Sequence, residues 1–259
     1  ALPSKQVMGR NWIGRIGGIF RILAQVGRAH AALRERRADV VISVGGFAAM
    51  PAALAALLSR RPLVLVEPNA IAGRVNRLTA RFAQRVFVGF AGAAAHLGGG
   101  DRLRHVGIPL RANLSEAFAS SPPRPAPESP LHLLVFGGSQ GAHQINEAMT
   151  AIANELAESP IRVFHQTGKA DLDSVREAYA QAGVPAEVVE FENDMPGRYQ
   201  WADLAIARAG ALTVAELAMA GLPALLVPYP FAADDHQSAN AEALSQAGAA
   251  LRLESRPLD

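Results

Sequence analysis

The sequence predicts an α/β protein with two halves, each built on a parallel β-sheet. Short runs rich in Val, Ile and Leu alternate with Ala-rich segments of helical length, which is typical of parallel strands covered by helices on both faces. Residues 120–130 contain five prolines and no periodicity, so we interpret them as a linker. We therefore expect two Rossmann-like domains, residues 1–119 and residues 131–259.

The first half begins with a helical segment, 12–36. A β-branched run at 39–46 ends in two glycines and precedes an Ala-rich helix. Three further strands are predicted, at 62–67, 85–90 and 103–111. A doubly wound fold usually begins with a strand, so we expect a strand, loop and helix to precede residue 1.

The second half repeats the alternation. An apolar strand within 131–142 leads through a glycine turn into a predicted helix, 142–157. Five further strands are predicted, at 161–168, 186–194, 202–210, 222–230 and 248–254. Since no helix follows the last strand, we expect several helices beyond Asp259.

Composition narrows the function classes. Among 259 residues, 25 Lys and Arg oppose 23 Asp and Glu, and a net charge of +2 does not favour nucleic acid as a partner. The sequence has no cysteine, which excludes disulfides, thiol nucleophiles and Cys-ligated metals. No apolar run approaches the roughly 20 residues that span a bilayer.

The glycine turn at 137–142 is a candidate phosphate site. It joins an apolar strand to an Ala-rich helix, so backbone amides at the helix start face an anion, and Ser139 can add a hydrogen bond. It differs from the dinucleotide fingerprint G-x-G-x-x-G, and no acidic residue ends the next strand. An ordinary strand–helix turn is the alternative interpretation.

A second glycine turn, 208–210, follows another predicted strand, and a helix starts at Ala211. Its amides converge on the carboxyl end of a parallel strand, where such sheets bind ligands. Glu216 lies in the first two turns of this helix. Its carboxylate either binds a ribose diol or complements the helix dipole.

The remaining polar clusters give weaker signals. Asp234 or Asp235 is a plausible N-cap, and the adjacent His236 and Gln237 have no complementary cluster elsewhere, so we expect no metal site. Asn69 follows a strand in the first half and can contact a sugar hydroxyl or form a turn. The histidines, among them His143, have no evident partners in the sequence.

The segment Val7–Leu23 combines aromatic and aliphatic residues with three arginines. We favour an interfacial helix whose apolar side enters an anionic membrane surface. A core helix packed on the sheet is the alternative.

Five motifs in this arrangement carry a resemblance to a known family: EPNAIAG, GIPLR, GGSQGA, RAGALTVAELAMAGLP and PYPFAADDHQSANA. Together they resemble the MurG family, the N-acetylglucosaminyltransferases that convert lipid I to lipid II in peptidoglycan synthesis. The resemblance covers nearly the whole chain. It implies a GT-B fold, with two domains facing a cleft, UDP-N-acetylglucosamine (UDP-GlcNAc) bound mainly by the second half and lipid I by the first.

The resemblance also implies site residues. Ser139 falls at the phosphates, and the main chain of Glu192 falls at the uracil. The positions around the diphosphate and ribose are Ala211, Leu212, Thr213, Val214, Ala215 and Glu216. Those around the donor sugar are Asn69, Arg111 and Gln237. The sequence departs from the family at Ala209, where Ser is common, and at Ile108, where Asn is common.

The implied reaction is an inverting hexosyl transfer to the 4-hydroxyl of the N-acetylmuramyl group, with neither cofactor nor metal. The implied setting is peripheral, on the cytoplasmic face of the bacterial plasma membrane, in cell-wall synthesis, cell shape and cell division. The family's candidate base falls upstream of Ala1, so we expect this chain alone to bind UDP without transferring sugar. A UDP-GlcNAc 2-epimerase and a nucleotide-binding module without catalysis are the alternatives.

Overall fold

The computed structural model describes residues 12–98, 100–120, 122, 124–138 and 141–254, with side chains from residue 24 onward. The chain divides into two compact units, Ala1–Gly107 and Ile108–Asp259. Each unit is an α/β domain with a wholly parallel sheet, which confirms the predicted fold class.

Unit 1 carries a four-stranded sheet in the order β1-β2-β3-β4. Its strands are β1 (Val41–Ser43), β2 (Leu63–Glu67), β3 (Arg85–Val88) and β4 (Leu103–His105). Its helices are α1 (Trp12–Glu35), α2 (Met50–Leu58) and α3 (Arg74–Thr79). Apolar side chains of β2 and β3 pack against the small residues Ala53 and Ala56 of α2, and this cluster forms the core of the unit.

Strand β4 is shorter than the predicted strand 103–111. Gly107 adopts a left-handed conformation (φ +76°), and Pro109 lacks the N–H that a sheet ladder requires. These two residues end the pairing with β3 after His105.

Unit 2 carries a six-stranded sheet in the order β10-β9-β8-β5-β6-β7. Its strands are β5 (Leu131–Phe136), β6 (Ile161–Gln166), β7 (Ala186–Val189), β8 (Leu204–Ala207), β9 (Ala224–Leu226) and β10 (Ala250–Arg252). Its helices are α4 (Ala112–Phe118), α5 (His143–Ala151), α6 (Ala153–Glu158), α7 (Leu172–Ala182), α8 (Met195–Trp201), α9 (Ala211–Ala220) and α10 (His236–Gln246). The helix predicted at 142–157 is interrupted at Ile152, whose ψ of 21° is not helical.

The order of the six strands reverses at β5. From β5 the chain adds β6 and β7 on one side, then crosses back and adds β8, β9 and β10 on the other. β5 and β8 are neighbouring strands, and the loops that follow them therefore leave the carboxyl edge of the sheet in opposite directions. Such a switch point leaves a crevice where open α/β sheets bind their ligands.

The division between the units precedes the expected boundary at residue 119. Helix α4 packs against α8 and α9, and its Leu114 and Phe118 are buried. Apolar burial thus places α4 in unit 2 rather than unit 1.

The proline-rich segment 120–130 is also fastened to unit 2. The Arg124 guanidinium donates to the carbonyl oxygens of Ala220 at 3.1 Å, of Ala202 at 2.5 Å and of Tyr199. These carbonyls lie at the carboxyl ends of α8 and α9, where a cation satisfies unpaired acceptors and complements the helix dipoles.

Replacement of Arg124 by Ala should therefore destabilise unit 2. We expect the free energy of unfolding to fall by about 1–3 kcal/mol, because partly buried carbonyls lose a charged donor. Urea denaturation followed by circular dichroism measures the change. Arg162→Ala, at an exposed site on β6, is the matched control and should shift stability far less. Equal effects of both variants would show that Arg124 does not hold the segment.

Candidate functional site

Two helices begin at the switch point of unit 2. Helix α5 follows Ala142 and α9 follows Gly210, and neither residue has a side-chain acceptor for the first helical amides. Amides at a helix start carry a partial positive charge and seek an acceptor. Both helix starts therefore suit an anionic ligand at the carboxyl edge of the sheet.

The turn between β5 and α5 requires its glycines. A Cβ at Gly141 would collide with the carbonyl of Thr167, and a Cβ at Gly137 would collide with Ala142. Gly141 also has φ +76°. The close approach of the turn to the end of β6 is thus possible only without side chains at these positions.

A cavity of about 770 Å³ opens at this edge. It is lined by both helix starts and by the loop after β9, and includes Gly138, His143, Gln144, Arg208, Thr213, Tyr229 and Gln237. Two predicted site residues, Thr213 and Gln237, thus share one cavity. Gln237 accepts a hydrogen bond from the Tyr229 amide at 2.9 Å, which ties the start of α10 to the loop.

Arg208 is the cation of this cavity that sequence reasoning did not assign to the site. Its guanidinium donates at 3.1 Å to the carbonyls of Val227 and Pro228 and to Oε1 of Gln144. Burial lowers the pKa of Arg208 from its ordinary value. The glycine turn drew attention in the sequence, but only the fold brings Arg208 beside the start of α5.

Glu216 is paired with two side chains from other elements. The Tyr199 hydroxyl donates to its Oε2 at 2.7 Å, and Nη2 of Arg111 lies 3.6 Å from its Oε1. The Glu216 side chain is only 13% exposed, whereas Arg111 is 60% exposed. Tyr199 is fully buried, and burial raises the pKa of its hydroxyl. The structure therefore brings together Arg111 and Glu216 and adds Tyr199 as a partner.

Glu192, another predicted site residue of unit 2, has partners of its own. Glu192 follows β7, and its carboxylate accepts from the Asp194 amide at 2.8 Å and from Nε of Arg198 at 2.7 Å. Ser139 lies outside the described residues.

Asn69 belongs to unit 1, in the loop after β2. The backbone N–H of Asn69 donates to Oε1 of Glu67 at 3.0 Å. Glu67 is buried, and its other oxygen accepts from the Gly73 amide at 2.8 Å and from Asn76 at 2.9 Å. The buried carboxylate thus fixes the loop that carries Asn69.

His143 has partners that the sequence did not reveal. Its Nδ1 lies 3.0 Å from both carboxylate oxygens of Asp171, and its Nε2 lies 3.2 Å from Glu147. Asn146 donates to Asp171 at 2.7 Å, and its Oδ1 lies 3.0 Å from Nε2 of the buried His165. Burial lowers the pKa of His165 to about 4, so this ring is neutral near pH 7.

The cluster 234–237 forms a helix start. Asp235 occupies the N-cap of α10, but its carboxylate accepts from the Ser238 hydroxyl at 2.7 Å rather than from a backbone amide. Across the described ranges, no group of three or more acidic or histidine side chains is arranged to hold a metal ion.

Residues 7–11 of the segment Val7–Leu23 lie outside what the structure describes. The backbone from Trp12 onward is helical, as part of α1, but its side chains up to Leu23 are not described. Within the described residues, no helix has the length and apolar character needed to cross a bilayer.

Comparison with family models gives two matches, one in each half of the chain. Residues 132–259 match the glycosyltransferase family 28 C-terminal domain, and residues 1–88 match the glycosyltransferase family 28 N-terminal domain. Together these matches span most of the chain.

Curated relatives carry one name, UDP-N-acetylglucosamine--N-acetylmuramyl-(pentapeptide) pyrophosphoryl-undecaprenol N-acetylglucosamine transferase. The protein of Halorhodospira halophila is 46% identical over 235 residues, covering 90% of this chain and 64% of its own length. That of Alkalilimnicola ehrlichii is 43% identical over 255 residues, covering 98% of this chain and 70% of its own length. The crystal structure of Acinetobacter baumannii MurG matches with a TM-score of 0.75 and 35% identity, over 90% of this chain and 66% of that one.

The chain belongs to the MurG family. This confirms the resemblance drawn from the motifs, and with it the two-domain α/β fold class. A UDP-GlcNAc 2-epimerase from Neisseria meningitidis matches with a TM-score of 0.54 at 14% identity, which shows a shared fold alone.

Because His165 is buried as the neutral ring, acid should weaken unit 2. An unfolded histidine takes up a proton near pH 6.5, whereas His165 does so only near pH 4. The contribution of neutral His165 to the free energy of unfolding is therefore complete above pH 6.5. This contribution, about 3 kcal/mol at most, is lost as the pH falls toward 4. Urea denaturation of the wild type and His165→Gln at several pH values in this window measures it. The wild type should show the steeper loss, and parallel profiles would contradict the assignment.

Proposed function

We propose that the protein transfers N-acetylglucosamine from UDP-GlcNAc to the 4-hydroxyl of the N-acetylmuramyl group of lipid I, forming lipid II. The observation that carries the proposal is the cavity at the switch point of unit 2, where two helix starts and Arg208 meet. A diphosphate has the charge and the acceptor oxygens that these groups require. The names of the relatives supply the identity of the sugar and the acceptor.

Each part of the donor has a counterpart in this proposal. The amides at the starts of α5 and α9, with Ser139, bind the diphosphate. Glu216 accepts hydrogen bonds from the ribose diol, oriented for this by Tyr199 and Arg111. The main chain of Glu192 binds the uracil. Gln237, Asn69 and Arg111 bind the sugar.

The reaction is a single displacement with inversion. A base removes the proton from the acceptor hydroxyl, whose oxygen attacks the anomeric carbon of the sugar. The bond from that carbon to the β-phosphate oxygen breaks, and UDP leaves with the electron pair. The helix amides and Arg208 stabilise the negative charge that grows on the diphosphate. The base itself is not assigned to a residue of this chain.

The acceptor carries an undecaprenyl chain in the names of the relatives, so the proposed reaction takes place at a membrane surface. We place the protein at the cytoplasmic face, peripherally, with the segment Val7–Leu23 in contact with anionic lipid. Formation of lipid II from lipid I and UDP-GlcNAc tests the activity. Conversion of UDP-GlcNAc to its 2-epimer without an acceptor would contradict it.

Glu216→Ala should weaken UDP binding by about 1.5–3 kcal/mol, the scale of hydrogen bonds to a charged group. Isothermal calorimetry with UDP measures this loss. Because alanine also leaves the Tyr199 hydroxyl without its acceptor, Glu216→Gln is the second variant, which keeps an acceptor but removes the charge. Glu177→Ala, exposed on α7, is the control and should bind UDP as the wild type does. Wild-type affinity in both Glu216 variants would remove this residue from the ribose site.

Asn69→Ala and Gln237→Ala should each weaken UDP-GlcNAc binding more than UDP binding. The expected difference is about threefold to tenfold, because a contact to the sugar is present in only one of the two ligands. Calorimetric titration of each variant with both ligands gives the ratio, and Gln181→Ala on α7 serves as the control. Equal losses for UDP and UDP-GlcNAc would show that these side chains do not contact the sugar.

A further inference from the structure

We propose that His143, as an imidazolium, binds the diphosphate of the UDP-sugar and makes donor affinity fall as the pH rises. This inference rests on the proposed function and names a phosphate contact beyond the residues that the resemblance implied. It is drawn from the position of His143 in the cavity and from the chain of side chains behind it.

The position of His143 suits a phosphate contact. It is the first residue of α5, directly after the glycine turn, and it lines the same cavity as Arg208 and Thr213. The side chain is 70% exposed, so a ligand in the cavity can reach the ring. His143 and Arg208 together bring two cationic side chains to the wall of the cavity that includes the start of α5.

A chain of hydrogen bonds orients the ring. Asp171 lies 3.0 Å from Nδ1 and is itself held by Asn146 at 2.7 Å. Asn146 also donates to the Thr167 carbonyl at 3.0 Å and contacts the buried His165. Because these groups anchor Asp171 to the end of β6, the carboxylate fixes Nδ1 and leaves Nε2 as the nitrogen that meets a ligand.

The groups around His143 favour its charged form. The hydrogen bond to Asp171 raises the pKa of His143 above its ordinary value, and Glu147 adds to this from the same helix. Arg208 is the opposing cation of the cavity, and His165 behind Asn146 is neutral near pH 7. Glu147, 51% exposed, lies 3.2 Å from Nε2, and in this proposal a phosphate oxygen displaces it.

The sign of the pH effect follows from this arrangement. An anion binds the protonated ring more tightly than the neutral ring, so donor affinity is highest below the pKa of His143 and falls as the pH rises through it. UDP has a terminal phosphate whose own charge changes with pH, which would obscure the effect of His143. UDP-GlcNAc is the better probe, since both of its phosphates are esterified and keep a constant charge.

Calorimetric titration with UDP-GlcNAc from about pH 6 to about pH 9 tests the proposal. Wild-type affinity should fall about fivefold to tenfold across this range, less than a full charged hydrogen bond contributes, because solvent screens the charge of the 70% exposed His143 side chain. His143→Asn should bind as weakly as the wild type at high pH and show no such fall. His143→Arg, with a permanent charge, should keep the tight binding at all these pH values.

Asp171→Asn tests whether Asp171 orients the His143 ring and favours its charged form, or only supports the local structure. Removing this carboxylate should move the midpoint of the pH profile to lower pH without abolishing binding. His96→Asn, at an exposed site of unit 1, and Asp173→Asn, at an exposed site of α7, are the matched controls and should reproduce the wild-type profile. Binding of uridine, which has no phosphate, should be the same in the wild type and in every His143 variant.

Three outcomes would overturn the inference: a pH-independent wild type, an unchanged slope in His143→Asn, or an equal loss of uridine binding. Absence of UDP-GlcNAc binding to the wild type at every pH would instead refute the proposed function. The two failures are thus distinguishable in one set of titrations.

Discussion

The reversal of strand order between β5 and β8 is the constraint on which the site depends. All strands of unit 2 are parallel, so their carboxyl ends share one edge, and the reversal separates the loops that leave the two neighbouring strands. Helices α5 and α9 start in this gap after Ala142 and Gly210, which offer no side-chain acceptor. The backbone amides at both helix starts therefore lie at the same edge of the sheet, where they favour a negatively charged ligand.

Side chains from distant parts of the chain complete the site. Tyr199 and Arg111 hold Glu216, and the chain from His165 through Asn146 to Asp171 holds His143. A buried polar group is costly unless it is hydrogen-bonded, so such connected networks fix orientation as well as charge. The first network holds Glu216 of α9, and the second holds His143 of α5.

Much of the fold was predictable because strands and glycine turns are local patterns. The alternation of apolar runs and helices predicted the two parallel sheets, and the glycine turn at 137–142 predicted the start of α5. Pairings across the chain, such as Arg111 with Glu216 and His143 with Asp171, have no local signal and required the structure. The same holds for the division between the units, since only packing places α4 with α8 and α9. The binding roles assigned to the predicted site residues, Ser139 among them, and to the segment Val7–Leu23 stay predictions.

The switch-point edge of unit 2 should bind a nucleoside diphosphate. Amide chemical-shift mapping of the isotope-labelled protein during titration with UDP can test this binding, because it reports each backbone amide separately. The largest shifts should fall at residues 137–144 and 210–216, where α5 and α9 begin. Shifts confined to the opposite edge of the sheet, around the amino ends of its strands, would contradict it.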